Sequence, residues 1–170
     1  MNRDQNQLKS DLKFGKEMEP TVIKIIERHF GTKITRTSNN YERYDCEDNE
    51  RRFEIKCRRV SSNAYIDTMI GLNKRQAKRI GKALVFVFVY TDKVCIIEYD
   101  EERFASYPVK MVEAVRKNGY VYSMENYYIP MTDLVTIDAN EEEQNEMKEI
   151  RRRNPEPVSR RAIPRGVCLL

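Results

Sequence analysis

Hydrophobic and charged residues alternate most regularly between positions 51 and 59 of the chain. Apolar residues at 53, 55 and 57 separate charged residues at 52, 54, 56 and 58, and a period of two is the signature of a half-buried strand. The segment 42–48 is also strand-like, and a short polar turn connects the two segments. The pattern therefore predicts a β-hairpin formed by residues 42–48 and 51–59.

The register of this hairpin decides which side chains lie together. If residues 49–50 form a two-residue turn, Asp45 lies directly across from Glu54, and if the turn is at 48–49 the two become diagonal neighbours. Both registers place Asp45, Glu54 and Lys56 on one polar face, because residues two apart share a side. Facing carboxylates repel unless one is protonated or a cation lies between them. A divalent metal ion is the expected cation, with the lysine holding a water molecule or a phosphate oxygen.

A second pattern, with spacings of three and four residues, predicts a helix over residues 14–30 that ends at Gly31. Pro20 places the start of the regular helix near residues 19–20, because proline is tolerated in the first turn and not in the interior. The residues that share one side of the helix are Glu19, Val22, Ile23, Ile26 and Phe30. Glu19 is the one carboxylate on this apolar stripe, where it needs a partner.

The rest of the chain predicts alternating strands and helices. The run 83–90 is continuously apolar and rich in β-branched and aromatic residues, so we expect a strand buried on both faces, with a layer on each side of its sheet. The other predicted elements are a strand at 33–37, a basic helix at 73–82 with Ile80 on its apolar face, a strand at 93–99, a helix at 108–118, and extended pieces at 120–122, 127–130 and 134–138.

Charge changes the picture at the C-terminus. The chain of 170 residues has a net charge of +4, yet residues 151–170 alone contain six arginines and one glutamate. We expect residues 1–138 to form one domain and residues 139–170 a solvated charged helix that runs into a disordered basic arm, because this tail is too poor in apolar residues to fold alone. The arm could hold nucleic acid, direct nuclear entry or aid solubility.

Composition also excludes several classes of protein. The four cysteines and the single histidine, His29, lack the spacing of a zinc site or of a disulfide framework. The N-terminus is polar, and no apolar run approaches the length of a membrane span. We therefore expect an intracellular protein of the cytoplasm or nucleus, neither secreted nor held in a membrane.

The hairpin residues resemble a known catalytic arrangement. Asp45 followed by Glu54-Ile55-Lys56 on the next strand resembles the catalytic hairpin of the PD-(D/E)xK nuclease superfamily, which has the restriction-endonuclease-like fold. The resemblance covers roughly residues 14–138, with Tyr44 where the signature proline would stand. The predicted order α-β-β-β-α-β matches that family's core, which implies an α/β fold with a central mixed β-sheet flanked by helices.

Two other segments contain an acid-x-lysine motif and act as internal controls: Asp11-Leu12-Lys13 and Glu146-Met147-Lys148. Both lie in polar, helix-like stretches without a preceding hairpin, whereas the copy at 54–56 has the strand alternation and the upstream acid. The alternative explanation of the hairpin is an exposed face on which Arg52 and Arg58 form cross-strand charge pairs.

The resemblance implies a metal-dependent nuclease that hydrolyses phosphodiester bonds in nucleic acid, with DNA as the expected substrate. Asp45 and Glu54 would bind Mg²⁺, or Mn²⁺ in its place, together with the Ile55 carbonyl, since hard cations take oxygen ligands. Lys56 would orient the attacking water or neutralise developing charge. The absence of a recognisable base-reading motif favours a structure-directed or low-specificity endonuclease of the resolvase kind.

Two further residues have two explanations each. In the resembled family a glutamate on the first helix supports metal binding, a role that Glu19 matches, and the alternative is that Glu19 caps the start of the helix. A glutamine or lysine on the family's second helix often supplements the active site, a role that Gln76 matches. The alternative is a capping box formed by Asn73 and Gln76.

Basic residues near the hairpin predict contacts with phosphates. They are Arg58, Arg59, Lys74, Arg75, Lys78 and Arg79. Tyrosines at 120, 122, 127 and 128 could stack on unpaired bases, or could be half-buried strand residues. The alternative function is a nucleic-acid-binding or assembly protein without catalysis, although such a protein would not need the intact set of two acids and a lysine. The sequence leaves a homodimer open.

Overall fold

The computed structural model describes residues 5–38, 42–115 and 118–156. The helices are α1 (Gln5–Phe30), α2 (Glu101–Ala105) and α3 (Glu141–Arg153), with 3-10 helices at Leu72–Ala77 and Met131–Asp133. The strands are β1 (Thr35–Arg36), β2 (Cys46–Glu47), β3 (Arg51–Cys57), β4 (Asp67–Gly71), β5 (Ala83–Val89), β6 (Val94–Glu98), β7 (Val109–Val115), β8 (Val121–Pro130) and β9 (Val135–Ile137).

The strands form two sheets. The larger sheet has the order β1-β2-β3-β5-β6-β9, and the smaller has the order β4-β8-β7. Strands β3 and β5 run parallel, whereas the other neighbouring strands of the larger sheet run antiparallel, so that sheet is mixed. The predicted α/β class with a mixed sheet is confirmed.

Strand β5 lies at the centre of the molecule and is buried on both faces, as the run 83–90 predicted. Val85, Val87 and Val89 pack in one apolar cluster with α1 and α3. The intervening residues Leu84, Phe86 and Phe88 pack in a second cluster with the smaller sheet and α2. Successive strand residues point to opposite faces, so one uninterrupted apolar run supplies both layers of core.

Helix α1 is longer than the sequence pattern predicted, since it begins at Gln5 and contains Pro20 in its interior. Phe14 and Met18 are buried, at 1% and 0% exposure, and they extend the apolar stripe towards the N-terminus at four-residue spacing. Packing of these two side chains compensates for the backbone hydrogen bond that proline removes. The expected start near residues 19–20 was therefore wrong.

Helix α3 is charged, as expected, but it is not solvated on all sides. Met147 and Ile150 are buried in the cluster that contains α1, because two apolar residues three apart are enough to form a narrow seam between helices. Arg28 Nη2 of α1 donates a 2.6 Å hydrogen bond to Glu143 Oε2 at the same seam. Residues 157–170 of the predicted arm lie outside the described residues.

Two local expectations were wrong, and one strand was missed. The predicted basic helix 73–82 is a 3-10 helix followed by a tight turn, in which Lys82 N–H donates to the Arg79 carbonyl. The predicted helix 108–118 is strand β7, paired with β8 along its length. Strand β4 was not predicted. The segment 109–115 has apolar residues at spacings that suit either a helix or a strand, and pairing with β8 decides between them.

Helices of a length and apolarity that would cross a membrane do not occur in the described part of the chain.

Candidate active site

The hairpin register is the one with the turn at residues 49–50. Cys46 pairs with Phe53, and Asp45 lies at the end of this ladder, close enough to Glu54 for the two charges to interact. Asp48 closes the turn, because its Oδ1 accepts hydrogen bonds from the backbone N–H groups of residue 50 at 2.8 Å and residue 51 at 2.5 Å. An aspartate that accepts from the following backbone is a common turn former, and here it fixes which residues of β2 and β3 oppose each other.

Asp45 lies where the chain leaves the ladder between β2 and β3. Its backbone N–H donates to the Phe53 carbonyl at 2.8 Å, and its side-chain Oδ2 accepts a 2.7 Å hydrogen bond from the Ile55 N–H. The Asp45 carboxylate thus accepts the Ile55 N–H bond that a backbone carbonyl would accept if β2 continued alongside β3. This contact holds the Asp45 carboxylate beside the acid-x-lysine segment of the neighbouring strand.

Glu54 is buried, with 1% of its surface exposed. It lies beside Phe86 of β5 in the parallel register, on the face of the sheet that the second apolar cluster covers. The expectation that Asp45, Glu54 and Lys56 share a polar, open face was therefore wrong about the environment of Glu54. A carboxylate among aromatic side chains is costly to bury unless cations and hydrogen bonds compensate it.

Two lysines provide that compensation. Lys56 Nζ lies 2.5 Å and Lys74 Nζ 2.6 Å from the same oxygen, Glu54 Oε1. The other oxygen, Oε2, is buried and accepts no hydrogen bond from the described residues. The Lys56 and Lys74 side chains are 32% and 28% exposed, so their ammonium groups connect the buried carboxylate with the surface. Asp45, Glu54, Lys56 and Lys74 are hereafter the four-residue cluster.

Sequence reasoning assigned Lys74 to phosphate binding and missed its contact with Glu54. The residue lies in the 3-10 helix Leu72–Ala77, which follows directly on β4. A Cβ atom at Gly71 would lie 2.8 Å from both Asn73 Oδ1 and Met124 Cε, the ends of two flexible side chains that would have to shift. The resembled family often has a glutamine or a lysine on this helix, and Gln76 on the predicted α-helix matches that position. The element is a 3-10 helix, from which Lys74 contacts Glu54.

Burial and charge both act on Asp45. Desolvation first, and then the negative charge of Glu54, raise the pKa of its carboxyl from 3.8 to about 6, against the opposing effects of the Ile55 N–H bond and the two lysines. Two carboxylates so close together favour a proton or a cation between them. Burial likewise raises the pKa of the Cys57 thiol to about 12, so Cys57 is a protonated core residue and no nucleophile.

Glu19 lies close to the cluster, but its carboxylate is paired with Arg36. Its Oε1 accepts a 2.8 Å hydrogen bond from Arg36 Nε, and its charge, like that of Asp45, raises the pKa of the Cys46 thiol. Among the described residues no three acidic, cysteine or histidine side chains are grouped so as to hold a metal ion. With Glu19 paired to Arg36, its support of a metal ion stays a prediction. The alternative role as a helix cap is wrong, because α1 begins at Gln5.

Gln76 is exposed on the 3-10 helix. The capping box with Asn73 does not form, since the residue before the helix is Gly71 and no side chain caps it. From the same helix Lys74, and not Gln76, contacts Glu54.

The candidate phosphate contacts divide into exposed and internal residues. The side chains of Arg75, Lys78 and Arg79 are exposed. Arg58 is half-buried and donates to the Met69 carbonyl at 2.8 Å. Arg59 is only 8% exposed and donates to the Ser10 carbonyl at 2.8 Å, so it joins β3 to α1 and is not accessible to a phosphate. Ile80, expected on an apolar helix face, is fully exposed beside the exposed cations.

The four tyrosines that could stack on bases differ in exposure. Tyr127 and Tyr128 are buried, at 4% and 6% exposure, whereas Tyr120 is 62% exposed. Tyr122 is half-buried in β8. Stacking on bases is therefore open to Tyr120, and the half-buried alternative holds for the strand tyrosines.

Comparison with protein-family models, with curated proteins and with solved structures found no match in any of the three. The four-residue cluster is consequently the feature of the molecule that bears most directly on function. Its charges are unusual for a core, and its two lysines reach the surface.

Proposed function

We propose that the protein is a metal-dependent nuclease that hydrolyses phosphodiester bonds in nucleic acid, with DNA as the expected substrate, on a restriction-endonuclease-like core. The observation that carries the proposal is the buried Glu54, which has one oxygen on two lysines, the other without a partner among the described residues, and Asp45 across the hairpin. A purely structural carboxylate would be expected to have both oxygens satisfied.

The oxygen donors fit a hard divalent cation. Asp45 and Glu54 supply carboxylates, and the Ile55 carbonyl points to the same strand edge as the Ile55 N–H, which bonds Asp45. Mg²⁺ commonly uses one or two carboxylates and keeps several waters, so a third acidic residue is not required. When bound, Mg²⁺, or Mn²⁺ in its place, would lower the pKa of a coordinated water and stabilise charge on the phosphate.

The lysines have complementary tasks in this proposal. The ammonium groups of Lys56 and Lys74 both contact Glu54 Oε1, and the partial exposure of the two side chains allows contact with a phosphate. Lys56 would orient the attacking water, and Lys74 would hold a non-bridging oxygen on which negative charge develops. Two positive and two negative groups keep the cluster neutral without substrate, which makes burial of Glu54 tolerable.

The surface beside the cluster suits a polyanion. Arg75, Lys78 and Arg79 are exposed on the segment that delivers Lys74, so a phosphate backbone that they bind would pass close to Glu54. Such contacts position a nucleic acid without reading its sequence. We therefore propose a structure-directed or low-specificity endonuclease, similar in mode of action to a junction resolvase.

The restriction-endonuclease-like core is supported by three antiparallel strands followed by a parallel one, β1-β2-β3-β5. The connection from β3 to β5 contains β4 and a 3-10 helix in place of the expected α-helix. A second candidate function, a nucleic-acid-binding or assembly protein, is favoured by the charge balance of the cluster, in which two lysines already contact Glu54.

Incubation of the protein with supercoiled plasmid, branched DNA and single strands, each with Mg²⁺ or with EDTA, tests the proposal. We expect cleavage that requires the divalent ion and is lost in Asp45→Asn, a variant that keeps an oxygen able to accept from the Ile55 N–H. Binding without cleavage by the wild-type protein would favour the non-catalytic alternative. Cleavage by Asp45→Asn at the wild-type rate would show that the site lies elsewhere.

A further inference from the structure

The 3-10 helix that carries Lys74 is weakly held by its own backbone. It is six residues long, and no side chain caps its start. Hydrogen bonds in 3-10 helices have poorer geometry than those in α-helices. The 2.6 Å contact between Lys74 and Glu54 therefore depends on what fixes this helix against the hairpin.

Arg52 makes that connection. It lies two residues before Glu54 on β3, and its Nη1 donates a 3.0 Å hydrogen bond to the carbonyl of Ala77, the last residue of the 3-10 helix. Its Nε lies 3.4 Å from Glu47 Oε2 on β2. The guanidinium also lies over the Tyr44 ring, 4.3 Å from the ring centroid. One side chain thus joins the helix to both arms of the hairpin.

The contacts of Arg52 point inward. The side chain is 15% exposed, and Ala77 is 2% exposed, so the Ala77 carbonyl would be costly to leave without a donor. A planar guanidinium can donate to a carbonyl and a carboxylate while stacking on a ring, which an ammonium group cannot do. These features suit a residue that fixes geometry and do not suit a phosphate contact.

We infer that Arg52 is a positioning residue for the proposed nuclease: it holds the 3-10 helix so that Lys74 reaches Glu54. This inference rests on the proposed function for its catalytic consequence, but the position of Lys74 is testable without any cleavage. Lys82 Nζ, which lies 2.9 Å from Glu47 Oε2 and donates to the Asp48 carbonyl at 2.7 Å, anchors the segment beyond the helix. Arg52 alone of these two bonds the helix itself.

The catalytic test is a double-mutant cycle. Arg52→Met keeps an unbranched stem and removes the guanidinium, and we expect kcat to fall roughly 10- to 100-fold, the scale for groups that orient a reacting residue. In a Lys74→Met background the same substitution should cost less than about twofold, because its effect passes through Lys74. Arg58→Met is the control, since Arg58, the residue after β3, also donates to a backbone carbonyl, that of Met69 in β4, and its effect should be the same in both backgrounds.

The structural test uses protein labelled with ¹³C at the lysine methylene groups. We expect the Lys74 signals in Arg52→Met to move towards those of exposed lysines such as Lys148, and to stay unchanged in Arg58→Met. Unchanged Lys74 signals in Arg52→Met, or equal losses in both backgrounds of the cycle, would overturn the inference. Moved signals in a protein that cleaves nothing would retain the positioning role and reject the proposed nuclease.

Should Arg52→Met fail to fold, Arg52→Lys gives the same measurements with the charge kept. An ammonium group can retain one of the three contacts, so we expect the Lys74 signals to shift in the same direction by a smaller amount. Wild-type Lys74 signals in a folded Arg52→Lys variant would count against a role for the guanidinium.

Discussion

The chain contains the same acid-x-lysine spacing at 54–56 on β3 and at 146–148 on α3, and the two copies differ in every physical respect. In a strand, residues two apart lie on the same face, so Lys56 reaches Glu54 at 2.5 Å. In a helix, residues two apart lie roughly 200° apart around the axis. Glu146 instead pairs with Lys24 and Thr21 of α1, at 2.9 Å and 2.8 Å. Spacing alone therefore does not make a site.

The two copies of the motif also differ in the solvent exposure of their glutamates. Glu54 is 1% exposed and has an oxygen with no partner among the described residues, whereas the Glu146 side chain is 34% exposed. The hydrogen bonds from Lys24 and Thr21 lower the pKa of Glu146, which marks a carboxylate whose charge is already satisfied. Charges in a low-dielectric site act far more strongly than charges at a surface. These differences are the reason why we assign the proposed catalytic role to the strand copy.

Substitution of the two glutamates gives the largest expected difference. Glu54→Gln should lower the rate of Mg²⁺-dependent cleavage by roughly 10²–10³-fold or more, because it removes a charged oxygen that would hold the cation. Glu146→Gln should cleave at the wild-type rate, since its carboxylate joins two helices at the surface. Single-turnover rates on one DNA substrate provide the measurement. Equal cleavage rates for the two variants would contradict the assignment of the site to the strand copy.

The two lysines of the motif copies provide the next contrast. Lys56→Ala should lose roughly 10²–10⁴ in rate, the usual scale for a positioned proton-handling or charge-stabilising group. Lys148→Ala, on the exposed side of α3, should match the wild type. A similar loss in both variants at several salt concentrations would show that the effect is general electrostatics.

The hairpin was predictable because its signal is local. Alternation at 52–58 and the polar turn before it leave two registers, both of which place positions 45, 54 and 56 on one face. The apolar run that became β5 required two covering layers. The burial of Glu54 was not predictable. It depends on Phe86 and on the smaller sheet, whose strands β4 and β7 the sequence pattern missed or assigned to a helix.

Lys74 illustrates the remaining limit. Its contact with Glu54 joins positions 20 residues apart through a short 3-10 helix, an element with little sequence signature. The amphipathic pattern at 73–82 suggested an α-helix with Ile80 on its buried side, yet Ile80 is fully exposed. The Arg52 hydrogen bond to the Ala77 carbonyl joins this segment to the hairpin, and the local sequence pattern does not contain such a tertiary contact.

The pH dependence of stability should differ in sign between Asp45 and Glu146. The folded protein retains the Asp45 proton up to about pH 6, whereas the unfolded chain loses it near 3.8. Stability should therefore fall as pH rises from 4 to 7, by on the order of 2–3 kcal/mol from this group. A lowered pKa, as at Glu146, gives the opposite slope below pH 5.

Denaturant unfolding in EDTA at pH 4, 5, 6 and 7 measures these slopes. We expect Asp45→Asn to flatten the decline between pH 4 and 7, and hence to be more stable than the wild type at pH 7 and similar at pH 4. Glu146→Gln should leave that decline in place. Parallel curves for the wild type and Asp45→Asn would show that Asp45 has an ordinary pKa in the folded protein.

The smallest expected effect concerns the chain beyond the control helix α3. A deletion from residue 151 would remove Arg151, whose Nη2 donates to the Tyr90 carbonyl at 2.6 Å, so a clean truncation ends at Glu156. The segment removed, 157–170, contains three arginines and no acidic residue. If those arginines contact phosphates, the slope of log affinity against log salt should become shallower by up to about 2.7, near 0.9 for each contact. The rate with saturating DNA should not change, because the four-residue cluster lies within 45–74.

Fluorescence binding at several salt concentrations measures the slope. An unchanged slope would assign the arm to targeting or solubility, and a lost rate would mean that residues beyond α3 reach the strand copy of the motif.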